Sequence, residues 1–262
     1  METLIRLTAA LSIFGVMVFW EYLKPRRILP VERLVRWPIN LGLAAINMLM
    51  MRLTVGSAAY LAAVDAEENH WGILNLINLP DSLNIIISLL ILDFAIYWQH
   101  VLSHKWPLLW RLHQVHHCDL AFDATTAVRF HPLEILFSMF YKVAFIYLIG
   151  ADAFAVILFE IILNGAATFN HSNISIPESL DKKLRFLIVT PDMHRIHHST
   201  IKTETDSNYG FSITCWDRLC STYKAQPKYS QEQMPIGLDC YRDKKELGFL
   251  NLCLMPFRAP SK

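Results

Sequence analysis

Apolar residues are concentrated in five stretches of the chain, each of roughly the length that an α-helix needs to cross a bilayer. The stretches are Leu4–Trp20, Ile39–Val64, Leu83–Val101, Leu133–Ile149 and Phe154–Phe169. The turn signal Gly150-Ala151-Asp152 separates the last two and predicts a helical hairpin. The first and fourth stretches are short, so one or more of the five could enter the bilayer without crossing it.

Polar residues interrupt the apolar pattern at two informative places. Arg52 lies near the middle of the second stretch. Because a charge in hydrocarbon is costly, we expect Arg52 to face other helices or to extend to the membrane boundary. After Asn170 polar and charged residues dominate. The pattern predicts an all-α protein, a multi-pass transmembrane helical bundle with a histidine-rich cytoplasmic cap. We expect N-terminal membrane helices in 1–92, a catalytic region in 93–224 and a cytoplasmic tail in 225–262.

The distribution of basic residues predicts the orientation. Five Lys and Arg residues lie in Glu21–Trp37, none lies in 53–104, and three acidic residues lie in 65–68. Cytoplasmic loops of membrane proteins are enriched in Lys and Arg, so we expect Glu21–Trp37 and everything after His171 in the cytoplasm. The first helix ends in Glu21-Tyr22-Leu23-Lys24 without a small-residue cleavage site, which indicates a retained helix and not a signal peptide.

Composition narrows the function classes. The chain has 262 residues, 53% of them hydrophobic, against ~45–50% in typical soluble domains. A net charge of +1 gives no reason to expect a nucleic-acid partner. The five cysteines are odd in number and form no CxxC pair, so they predict reduced thiols, neither a disulfide framework nor a zinc ribbon. The compact chain favours a bacterial inner membrane over the endoplasmic reticulum.

Eight of the eleven histidines fall into three short groups, and His131 and His171 stand singly between them. Two groups have the spacing HxxHH, one has HxxxH, and His70 is isolated on the expected outer side. These ten are His100, His104, His113, His116, His117, His131, His171, His194, His197 and His198. On a helix, residues three and four apart share one face. Two such imidazoles can bind one metal ion at roughly 2.0–2.1 Å, and three can serve two ions.

Several metals suit imidazole: Zn, Cu, Fe and Ni. So many histidines exceed one structural zinc site, which has four ligands, and fit two metal ions with open positions. HExxH is absent, and carboxylate ligands like those of soluble di-iron bundles are missing from the motifs. We therefore predict a histidine-rich di-metal site. His131 precedes Pro132 and could be a turn residue instead of a ligand.

Polar residues inside the membrane stretches are candidates for catalytic roles beside the histidines. Asp93 shares a helical stripe with His100 and His104, and Glu160 and Asn164 share one with His171. We expect Asp93 and Glu160 to face the site and Asn164 to lie near a metal ion or its water. The alternative for Glu160 is an ion pair with Arg52. Asp192 and Asp217 could orient the last histidine group, or could be a helix cap and a surface acid.

Taken together, the motifs resemble those of the fatty acid hydroxylase / sterol desaturase superfamily over 93–223. The matching segments are 93–104, Leu112-His113-Gln114-Val115-His116-His117, Arg129-Phe130-His131-Pro132-Leu133-Glu134, 169–173, 190–198, Asn208-Tyr209-Gly210 and Trp216-Asp217-Arg218-Leu219. One departure is Cys220-Ser221, where relatives usually have Phe-Gly.

The resemblance implies a di-iron enzyme that uses O2 to hydroxylate or desaturate a membrane lipid, such as a sterol or a fatty acyl lipid. It implies two Fe per chain, with Zn as a replacement after overexpression, and an external electron donor, either cytochrome b5-like or a ferredoxin with its reductase. It implies that the nine clustered histidines are ligands, with His131 as the weaker tenth. We favour hydroxylation. The alternatives are a lipid desaturase, a membrane metal-binding or transport protein, and a zinc hydrolase that needs no O2.

Overall fold

Helices make up the whole of the regular structure in the part of the chain that the structure, a computed structural model, describes: residues 2–77 and 79–258. The helices are α1 (Glu2–Leu23), α2 (Arg33–Thr54), α3 (Ala58–Glu68), α4 (Asp81–Lys105), α5 (Pro107–His117), α6 (Pro132–Ile149), α7 (Ala153–Asn170), α8 (Glu178–Leu184), α9 (Pro191–His197), α10 (Lys202–Thr205), α11 (Cys215–Leu219) and α12 (Phe249–Leu254).

Five helical segments of the described chain are long and apolar enough to cross a membrane, which confirms the predicted multi-pass bundle. The hairpin turn is also confirmed, because Gly150 ends α6 in the left-handed conformation, with φ 69°. The prediction that the second stretch, Ile39–Val64, forms one continuous helix was wrong. The stretch is divided into α2 and α3 at Val55–Ser57, where Gly56 has φ 49°, a conformation that few other residues adopt. Arg52 is exposed in the last turn of α2.

The bundle packs around α7. Helix α1 lies against one side of α7, α3 and α4 lie against its other sides, and α6 packs on α3 and α4. Ala59, Ala62 and Ala63 of α3 are buried against Ile146 of α6 and Phe159 of α7. Small residues let helix backbones approach closely, which is how helices associate in a bilayer.

Buried ion pairs attach the cap to the first two helices. The Glu21 carboxylate, at the end of α1, accepts hydrogen bonds from the backbone N–H groups of Ala124 and Asn173, each at 2.7 Å. Arg36 of α2 pairs with Asp119 and Asp123, also at 2.7 Å each. All of these side chains are buried. The loop between α5 and α6 is therefore held in one position beneath the bundle.

Candidate metal centre

Nine buried histidines meet where the ends of α4, α5 and α7 reach the cap. Their ring nitrogens form two groups, and within each group the nitrogens lie within 4.8 Å of one another. The larger group contains His100, His104, His113, His117 and His197. The smaller group contains His116, His171, His194 and His198. These are the nine clustered histidines that the sequence analysis singled out.

Each HxxHH motif contributes to both groups. His113 and His117 of α5, one turn apart, belong to the larger group, and His116 between them belongs to the smaller one. In the second motif the assignment is reversed: His194 and His198 belong to the smaller group and His197 to the larger one. The groups adjoin, since the rings of His117 and His198 are stacked with centroids 4.4 Å apart.

Hydrogen bonds to Nδ1 fix the orientation of several rings. The Nδ1 of His100 bonds to the carbonyl oxygen of Tyr209 at 2.7 Å, and that of His197 to the carbonyl oxygen of Ser207 at 2.7 Å. His171 bonds in the same way to Ala167 at 2.7 Å. A carbonyl oxygen only accepts, so each of these Nδ1 atoms carries the proton and the opposite Nε2 presents its lone pair to the cluster.

The facing Nε2 atoms fit bound metal ions. The Nε2 atoms of His100 and His113 are 3.1 Å apart, and those of His171 and His116 are 3.0 Å apart. With the proton on Nδ1, such pairs bring two lone pairs together, which a cation between them would stabilise. Two nitrogens bound to one metal ion at roughly 2.0–2.1 Å lie about 2.9–3.4 Å apart.

Further ring nitrogens in the cluster are buried without a hydrogen-bond partner in the described residues. They are both nitrogens of His104, the Nδ1 atom of His194 and the Nε2 atoms of His117, His197 and His198. An unpaired buried polar atom is costly, and such atoms are found where a ligand or an ion is to be bound. The donor set therefore suits two adjacent metal ions with imidazole ligands.

Electrostatics keeps the rings neutral, which is the form that binds metal. Burial lowers the pKa of His116, His117, His194 and His198 well below the usual 6.5, and neighbouring imidazoles lower it further. Burial likewise lowers the pKa of His171 to about 4 and that of His197 to about 3. These rings present free lone pairs at neutral pH.

His131 lies outside both groups, which corrects the expectation of a tenth ligand. Its Nδ1 accepts a hydrogen bond from the backbone N–H of Leu133 at 3.2 Å, so His131 caps the N-terminus of α6. Its Nε2 lies 3.1 Å from the carbonyl oxygen of Cys253 and donates to it. Both ring nitrogens are occupied, and neither is free for a metal ion.

The three acidic and amide residues expected beside the histidines have other partners. Asp93 accepts a hydrogen bond from Trp216 Nε1 at 2.8 Å. Glu160 pairs with Lys142 at 2.6 Å and with Arg6, not with Arg52. Asn164 is exposed on α7 and donates to the carbonyl oxygen of Glu160. A charge in hydrocarbon requires a partner, and within the described residues Glu160 finds it in Lys142 and Arg6.

Residues that the sequence analysis did not single out support the histidines. Glu134 lies 2.6 Å from His113 Nδ1, with both side chains buried. The carbonyl oxygen of Arg129 lies 3.3 Å from His116 Nδ1. Glu134 belongs to the motif Arg129-Phe130-His131-Pro132-Leu133-Glu134. Its place three residues after His131, in the first turn of a helix, was the sequence signal that could have identified it.

Asp217 acts through the backbone. Its carboxylate accepts from the N–H groups of Tyr209 and Gly210 at 2.8 and 2.9 Å, and from the Thr222 hydroxyl at 2.7 Å. It thereby fixes the loop whose Tyr209 carbonyl oxygen holds His100. Asp192, the other acid considered, pairs with Arg26 and Arg195 and, among the residues that the structure describes, makes no hydrogen bond to a histidine.

The Cys220-Ser221 departure falls at a turn after α11. Ser221 has φ 58°, in the left-handed region that favours glycine. A glycine would suit this backbone, and serine adopts it at a conformational cost. The turn holds no histidine of either group.

Comparison with curated proteins gives three kinds of relative. The chain is 28% identical over 178 residues to an ornithine lipid hydroxylase of Rhizobium tropici, covering 68% of this chain and 51% of the relative. It is 31% identical over 138 residues to the alkylglycerol monooxygenase of Xenopus tropicalis, covering 52% and 30%. It is 25% identical over 146 residues to the cholesterol 25-hydroxylase of Rattus norvegicus, covering 55% and 48%.

The matches span about half or less of the length of these relatives. No solved structure matches the chain. The fatty acid hydroxylase family model matches residues 85–222, which is just over half of the chain and includes all nine histidines of the two groups. The chain therefore belongs to the fatty acid hydroxylase family.

Proposed function

We propose that the protein hydroxylates a membrane lipid with O2 at a di-iron centre held by the nine histidines. The observation that carries the proposal is the division of these histidines into two adjoining buried groups with converging lone pairs. Imidazole is a good ligand for iron, and two adjacent ions can share a two-electron reaction. Bound iron would supply the redox chemistry: one oxygen atom enters a C–H bond, and the other leaves as water with two electrons and two protons.

The chain's own residues hold the ligands in place and exclude water. Glu134, Tyr209 and Ser207 fix the rings of His113, His100 and His197 through Nδ1, which leaves each Nε2 directed inward. Every histidine of the two groups is at most 5% exposed. Burial at this level keeps bulk water from an oxidising site and protects the histidines themselves.

The substrate class is inferred from the relatives and from the position of the site. The three kinds of relative are named for an ornithine lipid, an alkylglycerol and cholesterol, which differ in their polar parts but are all membrane lipids. Their names describe hydroxylation or monooxygenation, which favours hydroxylation over desaturation here. The ligands lie at one end of the bundle, whereas a metal transporter is expected to bind near the middle of the membrane.

We also propose that the site faces the cytoplasm. This placement rests on the Lys and Arg residues of Glu21–Trp37, the segment that connects α1 to α2 on the cap side. A cytoplasmic cap would meet a soluble or membrane-bound electron donor, either cytochrome b5-like or a ferredoxin with its reductase. We favour the bacterial inner membrane.

The test is a reconstituted assay of the full chain in lipid nanodiscs. We expect about two iron ions per chain after gentle purification, with zinc as the replacement after overexpression. Supplied with a reductase system, labelled O2 and membrane lipid, the protein should form a lipid carrying one labelled oxygen. A product that has lost two hydrogens without label would show a desaturase, and turnover without O2 would show a hydrolase.

A further inference from the structure

An apolar groove lies between α1 and α7 on the cap side of the bundle. Its volume is about 320 Å³, within the ~300–1,000 Å³ typical of small-molecule sites. The lining comes from Ile13 of α1, one face of α7 from Ile162 to Phe169, and the cap segments 188–189 and 212–213. Ser212 is the one polar residue among the described residues that line it.

The inner end of the groove adjoins the metal centre. Phe169 lines the groove and precedes His171 by two residues. Ser212 also lines it and follows Phe211, whose ring centroid is 4.9 Å from that of His100 and 6.2 Å from that of His194. Phe211 therefore links the groove to the histidines, since it is next to Ser212 in the chain and its ring lies beside two of them.

The outer side of the groove faces the membrane. Both α1 and α7 are long and apolar enough to be spans, and Ile162 in the groove is 39% exposed. At the cap rim, Phe186 and Leu187 directly precede Ile188 of the lining and are 73% and 74% exposed. Large apolar side chains this exposed beside spanning helices are typical of contact with hydrocarbon.

We propose that this groove binds one hydrocarbon chain of the lipid substrate. The chain enters laterally from the bilayer between α1 and α7 and reaches Phe211. The inference rests on the proposed function, because it supplies the path by which a lipid would meet the histidine cluster. The groove also extends the proposed function to a further part of the protein, since α1 lies outside the family match of residues 85–222. Through Ile13, a helix outside the matched region would contribute to the selection of the hydrocarbon chain.

Small residues on α7 keep the groove open. Gly165 and Ala166 are among its lining residues, and a Cβ added at Gly165 would come within 2.9 Å of Ile13 Cδ1. Any larger side chain at these positions would occupy the space that the hydrocarbon chain needs. Ala166→Leu should narrow the groove, and Ile13→Ala should widen it.

The experiment uses the full chain in nanodiscs with a phosphatidylcholine that carries a photoreactive diazirine on one acyl chain. After illumination, peptide mass spectrometry should find adducts concentrated on the groove faces of α1 and α7. Ala166→Leu should lose most of these adducts. The matched control is Gly15→Leu, which adds the same side chain on α1, where a Cβ would meet nothing within 4 Å. It should label like the unmodified chain.

Three outcomes would overturn the proposal: equal labelling along all five spans, groove labelling unchanged by Ala166→Leu, or a cross-link to a second copy at the groove. If Ala166→Leu fails to fold, Ile13→Ala provides the test. Its wider groove should be labelled more strongly, and unchanged labelling would contradict the proposal. Labelling needs no O2 or turnover. Groove adducts without lipid oxidation would therefore uphold the groove and refute the proposed function.

Discussion

The carboxylate of Glu134 lies 2.6 Å from His113 Nδ1, on the side of the ring opposite to the Nε2 that faces His100. This pair joins the first turn of α6 to α5 and sets which nitrogen of His113 carries the proton. A carboxylate in this position fixes the tautomer and the orientation of a ligand ring.

Removing this carboxylate should weaken metal binding without unfolding the bundle. We expect Glu134→Ala to lower metal affinity by about 10–100-fold. Glu134→Gln, whose amide oxygen can still accept from His113, should recover part of the loss. Competition with a chelator, followed by metal analysis, measures the effect. Glu178→Ala, which removes an exposed acid from α8, is the control and should bind metal normally. Equal affinity in Glu134→Ala would show that His113 needs no carboxylate.

Two histidine variants should separate ligand from helix cap. His117→Ala removes a ring whose Nε2 is unpaired in the cluster, so the purified protein should hold fewer than two metal ions and form no product. His131→Ala should keep the metal content and lose about 0.5–2 kcal/mol of stability, as expected for the loss of an N-cap. Metal analysis and thermal unfolding of both variants check this. Loss of metal in His131→Ala would show that His131 is a metal ligand after all.

The ion pair of Glu160 should be structural. Glu160→Gln leaves Lys142 without its buried carboxylate, which in comparable cases costs about 3–5 kcal/mol. We expect a lower unfolding temperature in detergent with unchanged metal content, and recovery when Lys142→Met is added. A variant with unchanged unfolding temperature but no turnover would instead support the catalytic role that the sequence suggested for Glu160.

The orientation can be tested by labelling in a cysteine-free background. A cysteine at Glu68, exposed at the end of α3, should react with a membrane-impermeant maleimide added to intact cells. A cysteine at Lys202, exposed on the cap, should react only after permeabilisation. The opposite pattern would place the cap and its histidines outside the cytoplasm.

Much of the bundle could be predicted because the bilayer imposes a length on apolar helices. The division between α2 and α3 could not, because Val55-Gly56-Ser57 interrupts the apolar pattern only slightly and one glycine does not by itself end a helix. The positive φ of Gly56 becomes visible only when α3 is seen packed on α6 and α7.

The histidine pattern was informative because spacings of three and four on short helices leave little freedom in where the rings point. The surrounding residues were not predictable in the same way. Helical periodicity placed Glu160 and Asp93 on stripes with histidines, but a stripe runs the length of a helix and contacts different neighbours at each turn. The partners Lys142 and Trp216 come from distant segments of the chain.

Burial of all nine histidines constrains how the protein matures in the cell. The first histidines of the two HxxHH motifs, His113 and His194, are 81 residues apart in the sequence. The rings meet only when the cap has closed on the bundle, and once closed it leaves them almost inaccessible. We therefore expect metal ions to exchange slowly in the folded protein and to enter most readily during biogenesis, before the cap closes on the bundle.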